Sequence, residues 1–369
     1  MPSTRPRAIS PLLLSPGALR AHALVILATL QVGLTAAMSG PVAVAPAAIE
    51  RPGALDLAVA FAEQPAATAF LNLGTPAPSQ APKPIVRTSP APVSKAQQPA
   101  PKVTAKGRYI PTGTGMWTYM WGETEGGSAK KIVERAQRTG LSHLYVRTGT
   151  RKGGFDGGPV LKKLLPATKG TGIQVIAWDF PQLKNPTSDA RRLAAAARFR
   201  VPGAPRIMAV APDIETGSEG TILTNARVET YMRTLRRLLP KDVSIIGVTP
   251  WPSEKRIGRY PFGGVAKYSD ALAPMAYWVN RDPATVARQT MERLKKYGKP
   301  VMPIGQAYDP RIDVPGLKWG PPSQAQVTAF LETSDKYGAP ATSLWVWQFA
   351  SKGQWTALSK NRQLFAADK

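Results

Sequence analysis

IQVIAWDF (residues 173–180) and IMAVAPDIE (residues 207–215) are short apolar runs that finish on acids, and SDARRLAAAARFR (residues 188–200) between them has helical spacing. A strand apolar on both faces, then a helix, then a second such strand is the unit from which covered parallel sheets are built. The unit recurs in both directions along the chain. Apolar or aromatic runs stand at 116–121, 142–148, 243–250, 271–278, 300–308 and 342–349. Helix-period segments lie between them, among them 128–140, 226–240, 282–298 and 323–338. Ser128 is placed to cap the first of these and Gly140 to stop it. Eight strand–helix units in about 250 residues predict an α/β fold, the (β/α)8 or TIM barrel. A doubly wound open sheet is the rival, but no Gly-rich dinucleotide fingerprint follows the first strand.

A parallel barrel presents its chemistry at the C-terminal ends of its strands. The fourth run ends Asp213-Ile214-Glu215. Residues two apart on a strand share a face, so both acids are expected at the barrel mouth. Two like charges that close raise the pKa of one, as a general acid at neutral pH requires. Asp179, near the end of the third run, has the parity of Val175 and Ala177 and is expected to project into the mouth beside Asp213 and Glu215 as a third carboxylate, with capping or loop anchoring as its other reading. Tyr277, Gln306 and Tyr308 end the sixth and seventh runs and suit sugar hydroxyls. Trp347 on the eighth run, Trp178 on the third, and Trp117 with Tyr119 and Trp121 on the first supply the aromatic faces that a carbohydrate cleft needs. Arg147 is placed to reach an anionic group on a substrate, with a structural salt bridge as its other reading. His143 reads as a satisfied structural histidine. Residues 149–158 (GTRKGGFDGG) lack phosphate-loop spacing and read as a flexible substrate loop, and Arg233, Arg236 and Arg237 as solvated helix surface.

Composition separates the chain into parts. All nine Trp and all ten Tyr fall after residue 106, whereas 16 of the 37 Pro fall before it, so the core belongs to 107–369. The absence of cysteine excludes thiol catalysis, thiolate metal sites and disulfides. Two histidines leave no His cluster for a metal, and no metal or organic cofactor is expected. Arg5, Arg7 and Arg20 precede an apolar run at 23–38 and a small-residue stretch, the pattern of an export signal. Residues 1–49 therefore read as a signal peptide or N-terminal anchor, and 50–106 as a disordered Pro/Ala-rich linker. The formal charge of +25 favours polyanionic partners. Export to the cell surface or medium disfavours nucleic acid and points to a polysaccharide, peptidoglycan or another anionic wall glycan among them. A membrane is met only through an uncleaved N-terminal segment, and nothing in the pattern specifies an oligomer.

At these motifs the chain resembles the (β/α)8-barrel glycoside hydrolases. Asp213-Ile214-Glu215 with Trp347-Gln348-Phe349-Ala350-Ser351 is similar to the family 25 lysozymes, which cleave cell-wall muramyl bonds. The same acids with Met275-Ala276-Tyr277 and an eighth-strand tryptophan also resemble the family 18 chitinases. That resemblance implies Glu215 as acid, with Asp213 and Tyr277 supporting the substrate acetamido group. The chain departs from both: Met208 and Ala211 stand where the chitinase signature has acids, Trp278 rather than an acid follows Tyr277, and the first strand lacks the lysozyme Asp. The expectation is a secreted or surface-tethered hydrolase of a cell-wall or other N-acetylated polysaccharide. A non-catalytic glycan- or wall-binding barrel is the alternative, and a charge-driven polyanion binder a third.

Overall fold

The computed structural model describes residues 102–104, 107–312 and 314–365. The expected signal or anchor at 1–49 lies outside them, as does all of the expected linker except 102–104. Lys102–Val103, which fall in that linker, pair antiparallel with Tyr109–Ile110.

Eight strands form the barrel: β1 (Gly113–Thr118), β2 (Leu141–Thr150), β3 (Gln174–Asp179), β4 (Ala209–Pro212), β5 (Ser244–Thr249), β6 (Ala271–Pro274), β7 (Ile304–Gln306) and β8 (Ala341–Trp345). They are parallel throughout, in the order β7-β8-β1-β2-β3-β4-β5-β6. Parallel bridges Leu272↔Val301 and Met275↔Ile304 join the two ends of that order, so the sheet returns on itself as a TIM barrel. The helices α1 (Ala129–Thr139), α2 (Gly158–Ala167), α3 (Pro186–Arg198), α4 (Asn225–Leu238), α5 (Phe262–Tyr268), α6 (Pro283–Leu294), α7 (Gln324–Lys336) and α8 (Lys352–Lys360) alternate with the strands. Ser128 accepts the Lys131 N–H at the start of α1, and Gly140 ends it at φ 75°, a left-handed conformation that glycine adopts without strain.

Strand alternation produces two cores. Met116, Leu144, Ala177, Val210, Ile245, Leu272 and Leu344 face the helices. Their neighbours Trp117, Tyr145, Trp178, Ala211, Ile246, Ala273 and Trp345 fill the barrel. The filling is lopsided. Trp117 stacks on Tyr145 with ring centroids 4.1 Å apart, and Trp178 and Trp345 lie against Trp117 at 5.4 and 5.7 Å. Opposite these rings stand the alanines Ala209, Ala211, Ala271 and Ala273. Large side chains from β1, β2, β3 and β8 thus occupy the volume that small ones from β4 and β6 release, as close packing demands.

Three expectations are corrected. β1 begins at Gly113 and ends at Thr118, so Trp121 falls in a 3-10 turn (Trp121–Glu123) and packs on the helix side, away from Trp117 and Tyr119. β8 ends at Trp345, and Trp347–Phe349 form a 3-10 turn instead of strand. Arg236 is no solvated surface group: it bridges to Asp270 and donates to the Val243 and Tyr268 carbonyls.

Candidate active site

Past Pro212, the chain keeps strand geometry. The Asp213 N–H donates to the Asp179 carbonyl at 3.0 Å, and Asp213 bridges Val248 of β5. Ile214 points to the helix side, where its carbonyl accepts the Tyr260 hydroxyl at 2.7 Å. With Ile214 fixed outward, strand alternation turns Asp213 and Glu215 inward together. They line a narrow pocket with Trp117, Val248, Met275, Tyr277, Ile304 and Trp345. The lining contains two carboxylates and no cation, in a chain of strongly positive net charge.

The sixth strand delivers Tyr277 through two backbone bonds, Met275 N–H to Thr249 and Ala276 N–H to Ile304, both 2.8 Å. Tyr277 stays partly exposed and meets Tyr308 edge-on at 5.8 Å. Beyond them Val279 is held at φ 50°, a costly conformation for a β-branched residue. The Gln306 amide oxygen accepts the Val279 N–H at 3.0 Å, and its nitrogen donates to the Tyr308 carbonyl at 3.2 Å. Gln306 therefore braces the two loops that carry the tyrosines.

No family model matches the chain, and no curated protein does. Among solved structures it is similar to an endo-β-1,4-mannanase from Thermotoga petrophila, at 11% identity over 70% of this chain and 77% of that one, TM-score 0.51. It is similar to an endo-1,4-β-mannanase from Rhizomucor miehei at 8% identity, over 70% of this chain and 97% of that one, TM-score 0.51. A family 18 chitinase from Cycas revoluta aligns at 9% identity over 67% and 99%, TM-score 0.47. What the mannanases share with this chain is the barrel. At such identity the likeness is one of fold alone.

Other residues singled out from the sequence fall in different places. Asp179 is turned away from the mouth. On β3 the inward residues are Ile176 and Trp178, so Val175, Ala177 and Asp179 face the helices. There the Asp179 carboxylate, fully buried, takes the Arg192 Nε at 2.7 Å, and Arg192 also holds Asp189 at 2.8 Å. Burial pushes the Asp179 carboxyl up to about 6 although the guanidinium opposes it. Trp178 is buried inside the barrel with its Nε1 donating to the Thr118 carbonyl, a support beneath the pocket. Trp347 is also outside the lining: it packs edge-on against Trp355 and donates to Glu125. The eighth-strand indole in the pocket is Trp345, two residues earlier, and inward parity was the available signal for it. The Trp345–Val346 peptide bond is cis.

Arg147 faces inward with its guanidinium over the Tyr119 ring at 4.8 Å. Residues 149–158 fold back as a small hairpin in which Thr150 bonds Asp156 and accepts the Gly153 N–H. His143 sits deep in the barrel, bonded to Ser142, with burial lowering its pKa to about 3. Among the described residues no group of three or more His, Asp or Glu could hold a metal ion.

Proposed function

We propose that this protein is an exported glycoside hydrolase of a cell-wall or other N-acetylated polysaccharide, with Glu215 as general acid. The observation that carries the reading is the convergence of Asp213 and Glu215 with Trp117, Tyr277 and Trp345 in one pocket at the C-terminal end of a TIM barrel. Glu215 gives its proton to the glycosidic oxygen, the leaving sugar departs as an alcohol, and water completes the hydrolysis. Asp213 faces the positive charge that develops at the anomeric carbon, or orients an acetamido group that attacks it, and the Tyr277 hydroxyl steadies that group. Trp345, backed by the buried Trp117, offers apolar surface to the C–H face of a sugar ring. With Asp179 committed to Arg192, the working pair of acids is Asp213 and Glu215. Export rests on the N-terminal segment, and the N-terminal sequence of the mature protein tests it.

A second reading, a non-catalytic glycan-binding barrel, is favoured by one observation. The enclosed space between these side chains is only about 10 Å³, roughly room for one water and far below the ~300–1,000 Å³ usual for ligand sites. Reducing-end release by the purified protein from peptidoglycan, chitin oligomers and neutral and acidic glycans, with Glu215→Gln alongside, separates the two. A hydrolase releases ends from at least one polymer, and the variant loses about 10²-fold or more while still binding. Binding without release by either protein selects the second reading, and equal release by both removes Glu215 from the mechanism.

A further inference from the structure

The pocket lining is acidic, yet a cation stands at its edge without an acid to neutralise it. Arg147 lies on β2 two residues past Tyr145, and Tyr119 follows Trp117, the β1 partner of Tyr145, by the same two residues. The two side chains are therefore neighbours across the β1–β2 pair, and the guanidinium rests on the Tyr119 ring. Tyr119 in turn packs on Trp345 at 5.9 Å, and Trp345 lines the pocket. Arg147 is half-buried, and the ring contact is the interaction the structure gives its head group, with no carboxylate within ion-pair reach among the described residues. The nearby acid Asp179, which follows the β3 partner of Arg147, faces the helices and is taken by Arg192.

A half-buried guanidinium with its donors unused by protein is costly unless a ligand or water takes them. Its planar fork matches a carboxylate or phosphate with two parallel bonds. Asp213 and Glu215 stand on the strand two places away, ~10 Å along the barrel wall at the usual strand spacing. An anion placed directly at those carboxylates would be repelled, whereas one placed over β1 and β2 meets Arg147, with exposed Arg151 and Lys152 on the adjoining hairpin. We infer that the site takes an acidic glycan, with Arg147 holding an oxyanion substituent on a sugar beside the one at the Asp213–Glu215 pair. The inference rests on the glycan reading of the mouth and names the substrate class for it.

The test measures binding, so it does not depend on turnover. Calorimetry of the full chain carrying Glu215→Gln compares peptide-free N-acetylglucosamine–N-acetylmuramic acid strands with the same strands after reduction of their carboxylates to alcohols. A second arm compares 6-O-phosphorylated with unmodified N-acetylglucosamine hexamers and so distinguishes phosphate from carboxylate. The charged form of at least one pair binds tenfold tighter or more. Adding Arg147→Ala brings that ratio to within twofold, and Arg147→Lys, which keeps the charge without the fork, leaves an intermediate value. Lys163→Ala, on an exposed position of α2, leaves the ratio where it was, which separates a local contact from net charge. Equal binding of charged and neutral forms, a preference that survives Arg147→Ala, or an equal loss in Lys163→Ala overturns the inference. Failure of reducing-end release with the preference intact removes the catalytic reading and leaves this one standing.

Discussion

Replacing Arg192 by methionine keeps most of the side-chain volume and removes the charge that two buried acids share. Asp179 is fully buried and Asp189 nearly so, and both bond the guanidinium, which also donates to the Phe180 carbonyl at 3.2 Å. Truncating one partner of a buried ion pair costs about 3–5 kcal/mol because the remaining charge stays desolvated. At roughly 2–4 °C per kcal/mol for a domain of this size, Tm falls by about 6–20 °C. The pH dependence carries the mechanism. In the native protein the Asp179 pKa is already about 6, above its unfolded value near 3.9, so the folded state binds the proton more readily and stability from this group falls as pH rises from about 4 to 6. Without Arg192 the folded pKa rises further. The deficit of Arg192→Met is therefore largest above pH 7 and shrinks as pH drops through that raised value, and Asp179→Asn in the same background recovers part of it. Urea unfolding followed by circular dichroism between pH 5 and 8 measures all three proteins. A loss below about 1 kcal/mol at pH 8, or one that does not change with pH, would refute the account of a charge held in place by Arg192.

Trp345→Ala weakens glycan binding by about 2 kcal/mol, roughly thirtyfold in Kd, whereas Trp347→Ala acts mainly on stability, by about 3–5 kcal/mol, because it empties a buried position against Trp355. Calorimetry paired with thermal unfolding decides which tryptophan carries which effect, and the reverse assignment contradicts the site. His143 has its folded pKa lowered to about 3 from an ordinary 6.5, so the stability of its neutral burial is complete above pH 6.5 and is lost as pH falls, by about 1.4 kcal/mol per unit. His143→Gln flattens the acid limb of Tm against pH, and parallel limbs in the two proteins would exclude His143 as its cause.

The repeating alternation of apolar runs and helical spacing made the barrel legible, and the parity of Asp213 and Glu215 made the acid pair legible. Three misreadings have physical causes. A strand covered on both faces has no polar side to fix its orientation, so IQVIAWDF allowed Asp179 to be set at the mouth when Ile176 and Trp178 are the inward residues. Gly113 and Gly115 depress strand propensity at the start of β1. Gly115 is there because a Cβ would stand 2.2 Å from the His143 Nε2, a packing constraint between residues 28 apart that no local pattern encodes. Trp347 was taken for Trp345 because the run 342–349 stays apolar beyond the point where the chain leaves the sheet. Arg192, which binds Asp179 from α3, carried no signal of its own in the sequence, since its significance depends on which way Asp179 faces.

The column of rings inside the barrel also has an optical consequence. Trp345 lines the pocket and touches both Trp117 and Trp178, and Trp117 is itself stacked on Tyr145. Excitation taken up by the buried rings can pass along this short chain of contacts to the one indole that a guest would shield from water. The wavelength and yield of intrinsic emission then become a dye-free readout of occupancy, carried by the same side chains that fill the barrel.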